Sequence, residues 1–309
     1  MSDEHLAVPP ALRPGDGISI VAPASSPERK TFDAAIANLQ RAGYRPKTYR
    51  DVCTPRGYLS GTDSERAEEL NEAFADPDTS MVLAARGGYG CGRILDKIDF
   101  DLLKRRPKIV CGYSDLTALH AAIHRRCGLV SFHGPNLVAG LGDDAAETVD
   151  ERHATFAMFR GGPNEILLTA GDTLSDGVAE GRLAGGNAAV LLSVLGTPYE
   201  PDLSGAILVL EDVGEAPYRI DRLLTQLRLS GVFDRLAGLV LGYFTEATLT
   251  DGPTVEQVAA EFLEPLNVPV VAGAPFGHEH PNMPLPLGAR VRLDADRRML
   301  ETLQPVVSQ

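Results

Sequence analysis

The stretch from Pro107 to His120, PKIVCGYSDLTALH, places one serine between a short apolar run and an apolar pattern at helical spacing. A serine at a strand-to-helix turn has its hydroxyl pushed out of the sheet. The amide of the following residue is left free at a helix start, where negative charge is favoured. Ser114 therefore has the setting of an acyl-transfer nucleophile, although the same position also suits a plain turn or helix-cap residue. A hydroxyl is a weak nucleophile and needs a neighbouring base, itself best oriented by a carboxylate. Glu211 ends the apolar run Ala206 to Leu210, where a charge has no packing role, and His278 lies in PFGHEH just after the apolar run Val268 to Ala272. Asp212 rivals Glu211 for the carboxylate role, and His280 rivals His278 for the base.

The elements that must position these groups alternate along the chain. Gly17 to Pro23 reads as a buried strand, and Ser25 to Glu28 as the start of a helix that runs to about Ala42 and stops at Gly43. Arg45 to Arg50, Met81 to Ala85, Pro107 to Gly112 and Leu129 to Phe132 read as further strands, with helices over Ser64 to Phe74 and Asp115 to Arg126. Arg86 to Gly92 carries four glycines, which let the backbone approach a ligand before a helix begins near Arg93. Alternation of this kind predicts an open parallel sheet whose ligands sit outside the carboxyl ends of the strands. The glycine loop and Ser114 should then face one pocket, and His133 to Asn136 closes the unit.

Periodicity weakens from about Asp143 to Asp176, which reads as an interdomain connection with some helix in it. The division is thus an N-terminal α/β domain over 1–160 carrying the serine, a connection over 161–180, and a smaller C-terminal α/β domain over 181–309 carrying Glu211 and His278. The second unit opens with Gly181 to Asn187 and a helix through Leu195. Strands are expected at Ala206 to Leu210, Leu239 to Tyr243 and Val268 to Ala272, helices at Tyr218 to Ser230 and Thr254 to Leu263, and a hairpin near Arg290 to Leu303.

At 309 residues the chain fits two domains, and 44% apolar with 23% charged residues is a globular composition. The 42 acidic against 29 basic residues give a net charge of −13, which repels nucleic-acid phosphates and anionic membrane surfaces. The N-terminal residues lack the pattern of a secretory signal, and no run approaches the ~20 apolar residues of a membrane span, so a cytoplasmic location is expected. Four separated cysteines form neither a disulfide framework nor a zinc signature. His120 and His124 have the i, i+4 spacing of helix metal ligands but no H-E-x-x-H, and the glycine loop lacks the Gly-Lys-Ser/Thr of a P-loop. Neither a metal nor a cofactor is expected.

Taken together, RGGYG at 86–90, GYSDLTAL at 112–119, HGP at 133–135, GGN at 185–187, GTP at 196–198, LED at 210–212, IDR at 220–222, and GH at 277–278 followed by LPLG at 285–288 resemble the LD-carboxypeptidases. These are serine peptidases whose family also includes the microcin C immunity proteins. The resemblance implies a flavodoxin-like parallel-sheet domain joined to a smaller α/β domain, with the active site at their interface. It implies Ser114 as nucleophile, His278 as general base and then acid, and Glu211 as its orienting carboxylate. The backbone amides of Gly88 and Asp115 would form the oxyanion hole, and no metal is required.

The implied reaction cleaves the amide to a terminal D-amino acid, as in trimming D-alanine from a murein tetrapeptide. Arg86 is the candidate for the terminal carboxylate, against a reading as a structural ion pair. Asn187 is a candidate substrate contact, against a reading as an interdomain support. The family also suggests a homodimer. Two other functions stay open: an immunity-type hydrolase of aminoacyl-nucleotide analogues, for which this chain lacks the tryptophan used by that branch to stack adenine, and a non-catalytic peptide-binding relative.

Overall fold

The structure is a computed structural model and describes residues 6–247 and 252–309. The first five residues of the N-terminal tail lie outside the described part. Five strands, β1 (Gly17–Val21), β2 (Arg45–Lys47), β3 (Met81–Ala84), β4 (Ile109–Gly112) and β5 (Ser131–His133), pair in parallel in the order β2-β1-β3-β4-β5. Helices α1 (Arg29–Arg41), α2 (Asp63–Ala75), α3 (Phe100–Arg105) and α4 (Leu116–Cys127) connect them. This is the flavodoxin-like strand order, whose ligand crevice lies where the order reverses, between β1 and β3. The glycine loop leaves β3 at that crevice, and Ser114 leaves the neighbouring β4.

Local sequence explains the helix ends. The Glu28 side chain accepts from the amides of Lys30 and Thr31 to cap α1. Thr62 and Glu65 form a reciprocal capping box on α2. The helix expected near Arg93 is instead a 3-10 segment, Cys91–Lys97, entered at Gly90 with no side-chain cap. Its start is pinned by a bond from the Cys91 amide to Asp115, so a tertiary tether replaces a local cap.

After α5 (Val149–Phe159) the chain builds a second sheet. It contains β6 (Glu165–Leu167), β7 (Asp172–Ser175), β8 (Val178–Asn187), β9 (Ala206–Val213), β10 (Gly238–Thr245) and β11 (Val270–Ala272). The short β12 (Leu285–Leu287) precedes the terminal hairpin β13 (Arg290–Asp294) and β14 (Met299–Thr302). The order in the second sheet is β6-β14-β13-β8-β9-β10-β11-β7, with a parallel centre from β8 to β11. Helices α6 (Ala188–Val194), α7 (Pro217–Leu229) and α8 (Val255–Leu263) complete the unit.

Three features differ from the sequence expectation. The stretch 161–180 is not a bare connection, because β6 and β7 lie in it and join the second sheet. Glu211 and Asp212 lie within β9 rather than beyond it, since the strand continues to pair with β10 at Asp212 and Val213. The glycine-rich opening of the second unit is a ten-residue central strand, β8.

The sheets are also spliced: β12 adds antiparallel to β5 of the first sheet, with Leu285 opposite His133. One apolar core runs through both sheets, from Ile20 and Phe132 to Val209, Phe276 and Val291. The relative placement of the two strand edges is thus set by packing and not by a linker.

Gly185 shows why glycine occupies β8. A Cβ there would lie 1.9 Å from the Val209 carbonyl oxygen, at a φ of +134°. Gly196 also has positive φ (+77°) but faces open space. Gly185→Ala should therefore destabilise the fold by about 3 kcal/mol or more through clash and backbone strain, against about 1 kcal/mol for Gly196→Ala. Denaturant unfolding of both variants checks this, and equal losses would refute the close-packing argument.

Candidate active site

Ser114 adopts φ +67°, a left-handed conformation that a non-glycine residue holds only when its surroundings enforce it. Those surroundings are dense. A Cβ on Gly87 would lie 2.8 Å from Ser114 Cβ, so the glycine loop lies directly against the serine. Asp115, which follows it, is buried and accepts from the Cys91 amide at 2.7 Å, tying the serine turn to that loop.

Behind the turn, His120 donates from Nε2 to the Gly112 carbonyl and accepts at Nδ1 from Ser131, both at 2.8 Å. Burial pushes its pKa down to about 4 and keeps it neutral. His120 supports the strand end, and among the described residues it and His124 belong to no group able to hold a metal ion. Asn136 accepts from the Tyr113 amide at 3.3 Å. The amides of Gly88 and Asp115 donate to no protein acceptor among the described residues.

Glu211 points to the same place from β9. It has no solvent exposure, and its Oε2 accepts from His278 Nδ1 at 2.6 Å. That bond fixes the tautomer and leaves Nε2 as a lone-pair acceptor. The His278 ring lies 4.9 Å from the ring of Tyr113, the residue before Ser114, so the imidazole packs beside the serine turn. Ser114 and His278 form no direct hydrogen bond among the described residues.

The rivals are placed elsewhere. Asp212 accepts from Asn187 and from the amides of Ala189 and Val213, and burial raises its pKa to about 6. His280 donates to Glu151.

Arg86 is exposed, makes no ion pair among the described residues, and donates only to the Ser26 carbonyl at 3.4 Å. The structural-ion-pair reading of Arg86 thus has no partner there. Asn187 is buried with both side-chain heteroatoms engaged, to Asp212 and to the Val190 amide, and its own amide donates to Thr117 Oγ1 across the sheets. Two surface concavities of about 630 and 580 Å³ lie elsewhere, one beside Asp99 and Arg125, the other beside Tyr44 and Arg160. Convergent chemistry, not cavity size, marks the site.

His133, the first residue of the HGP motif, has no role evident from the sequence. It is fully buried, neither ring nitrogen has a hydrogen-bond partner among the described residues, and Nε2 lies 3.7 Å from Glu211 Oε1. That distance is too long for a hydrogen bond. The signal that could have found it was its place at a strand end facing the same edge as Ser114.

Two family descriptions cover most of the chain: the LD-carboxypeptidase N-terminal domain matches residues 18–134 and the C-terminal domain residues 180–293. A probable murein peptide carboxypeptidase of Bacillus subtilis is 39% identical over 295 residues, covering 93% of this chain and 91% of that protein. The chain belongs to the LD-carboxypeptidase family.

It is accordingly a serine peptidase, a hydrolase. Among solved LD-carboxypeptidase-type structures, the muramoyltetrapeptide carboxypeptidase of Oxalobacter formigenes superposes with a TM-score of 0.81 at 34% identity, covering 92% of this chain and 97% of that one. MccF bound to glutamyl sulfamoyl guanosine gives a TM-score of 0.91 at 26% identity, covering 97% and 99%. No described helix is long and apolar enough to cross a membrane.

Electrostatics set the charge state of the carboxylate. Burial would raise the Glu211 pKa, but the neighbouring His133 and the hydrogen-bonded His278 outweigh it and hold the carboxyl at about 2. A depressed carboxyl contributes stability that is complete above its unfolded value and is lost as pH falls through the folded one. The unfolding-midpoint gap between the native protein and Glu211→Gln should be constant above about pH 5 and narrow as pH falls toward about 2. Thermal melts across this range check the sign, and a gap that widens on acidification would contradict it.

Proposed function

We propose that this chain is an LD-carboxypeptidase that hydrolyses the amide joining an L-configured centre to a C-terminal D-amino acid, converting a murein tetrapeptide to tripeptide plus D-alanine. The observation that carries this reading is the buried His278–Glu211 bond, made with the imidazole packed beside the strained Ser114 turn. Ser114 Oγ attacks the scissile carbonyl while His278 Nε2 takes its proton. The amides of Gly88 and Asp115 receive the oxyanion. Collapse breaks the C–N bond, His278 returns the proton to the leaving D-alanine amine, and Ser114 is left as an acyl ester. Water deprotonated by His278 then releases the tripeptide. Glu211, ionised throughout the neutral range, stabilises the imidazolium formed in each half-reaction.

The exposed Arg86 on the glycine loop, without an ion pair among the described residues, suits the terminal carboxylate that distinguishes a carboxypeptidase substrate.

One observation favours a second reading. Tyr58 and Tyr89 are exposed beside the glycine loop with their rings 5.5 Å apart, and Ser25 Oγ bridges the Tyr58 carbonyl and the Tyr89 amide. In a chain without tryptophan this pair offers a stacking surface for the base of an aminoacyl nucleotide.

Incubation with a meso-diaminopimelate tetrapeptide and, separately, with an aminoacyl sulfamoyl adenosine separates the readings. D-alanine should be released, and Ser114→Ala should lower the rate at least about a thousandfold. Turnover of the nucleotide alone would support the second reading, and binding of either compound without turnover would contradict both.

A further inference from the structure

The residue proposed as the base sits on a segment with no secondary structure of its own. From Gly273 to Pro284 the chain forms neither helix nor strand. Its neck is closed by the Met283 amide donating to the Pro275 carbonyl at 2.9 Å, while His278 itself is held by Glu211 and the Tyr113 ring. An imidazole on an irregular segment supplies the orientation that general-base catalysis needs only if that segment is anchored.

The first arm of this loop is held to β10, by the Ala274 amide donating to the Leu241 carbonyl and the Tyr243 amide donating to the Phe276 carbonyl, both at 2.9 Å, and the stretch beyond Gly277 is held by a carboxylate from a distant helix. Glu151, on α5, has no solvent exposure, yet it meets no arginine or lysine within 4.0 Å among the described residues. Its Oε2 accepts two bonds from the loop: the Asn282 amide at 2.7 Å and His280 Nδ1 at 2.8 Å. Asn282 passes the constraint on, because its Oδ1 accepts from the Gly277 amide at 3.1 Å. Gly277 in turn lies against the site, since a Cβ there would be 3.0 Å from both Cβ and Oε2 of Glu211, at a φ of +121°. A chain of contacts thus runs from Glu151 through Asn282 to Gly277, the residue next to His278. A buried carboxylate is expensive unless its bonds are well formed. Among the described residues both side-chain bonds of Glu151 go, through Oε2, to the loop that carries the base, and its Oε1 has no partner.

We propose that Glu151 is a positioning residue for His278: it anchors the loop over residues 277–282 so that the imidazole is presented between Glu211 and Ser114. The inference rests on the reading of His278 as the base for Ser114. It assigns Glu151 no contact with substrate and no proton transfer.

The test uses the full chain as the native protein, Glu151→Ala, Glu151→Gln and Asn282→Ala. It measures the rate at which a fluorophosphonate modifies Ser114, where the Oγ–P bond forms as fluoride leaves and the base takes the proton. This readout needs an activated serine but no particular peptide. Tetrapeptide kcat and KM are measured beside it, with a thermal melt to establish the folded fraction.

Glu151→Ala should slow labelling and kcat about 100-fold with KM within about twofold. Glu151→Gln, whose amide oxygen can still accept from Asn282, should recover to within about threefold of the native rate. Asn282→Ala, which leaves Glu151 in place but cuts its link to Gly277, should fall about tenfold. Native-rate labelling of Glu151→Ala, an equal fall in the Ala and Gln variants, or a loss that tracks the unfolded fraction would overturn the proposal. Should Glu151→Ala not fold, native-rate labelling of Asn282→Ala overturns it instead. A native protein that is labelled at Ser114 yet releases no D-alanine refutes the proposed substrate while the labelling comparison still decides the role of Glu151. Absence of labelling in the native protein overturns both.

Discussion

A carboxylate with no exposure, Glu211, is the group on which the rest of the site depends. Such a charge is tolerated in a protein interior only when its neighbours supply what water would. Here a hydrogen bond from His278 to one oxygen at 2.6 Å and the approach of His133 to the other at 3.7 Å do so. Tyr113 packs near both imidazoles, with ring centroids 6.0 Å from His133 and 4.9 Å from His278. Burial pushes its phenol up to about 12, so it remains neutral and adds no competing charge. The carboxylate therefore stays ionised through the neutral range, and the tautomer of His278 is set by the fold.

This arrangement requires two sheets to meet accurately. Three kinds of contact hold the seam. β12 returns from the C-terminal part of the chain to pair with β5, whose last residue is His133. Thr117, in the first turn after Ser114, accepts from the Asn187 amide at the end of β8. The apolar core continues from Phe132 to Val209 and Phe276 without a break. Asn187 and Asp212 then join the β8 and β9 ends to the start of α6, so the strand that aims Glu211 is braced by its neighbour. Split sites are often mobile, but a seam of this composition resists relative movement.

The alternating strands and helices of the first unit were legible in the sequence because each has a clear period and a local stop, such as Gly43 after α1. Ser114, Glu211 and His278 were visible as polar residues at the ends of apolar runs, although only the fold brings Glu211 onto His278 and draws Asp212 away to cap α6. β8 was obscured because its glycines erase the alternating pattern while serving close contact with β9. β6, β7 and β12 are three or four residues long and pair only through tertiary context, so periodicity could not reveal them. Glu151 was illegible for a different reason: an acidic residue in the first turn of a helix is ordinarily a dipole partner, and nothing local shows that this one is buried against a loop 129 positions away.

The central claim is that Ser114 and His278 act as one unit although they come from different sheets. A double-mutant cycle in steady-state kinetics tests it most directly, comparing Ser114→Ala, His278→Ala and the combined variant on the same peptide. Residues that share one proton-transfer step are strongly non-additive, so the combined variant should be no slower than Ser114→Ala within about threefold. If the two losses multiply, the residues act independently and the account of a shared site is wrong.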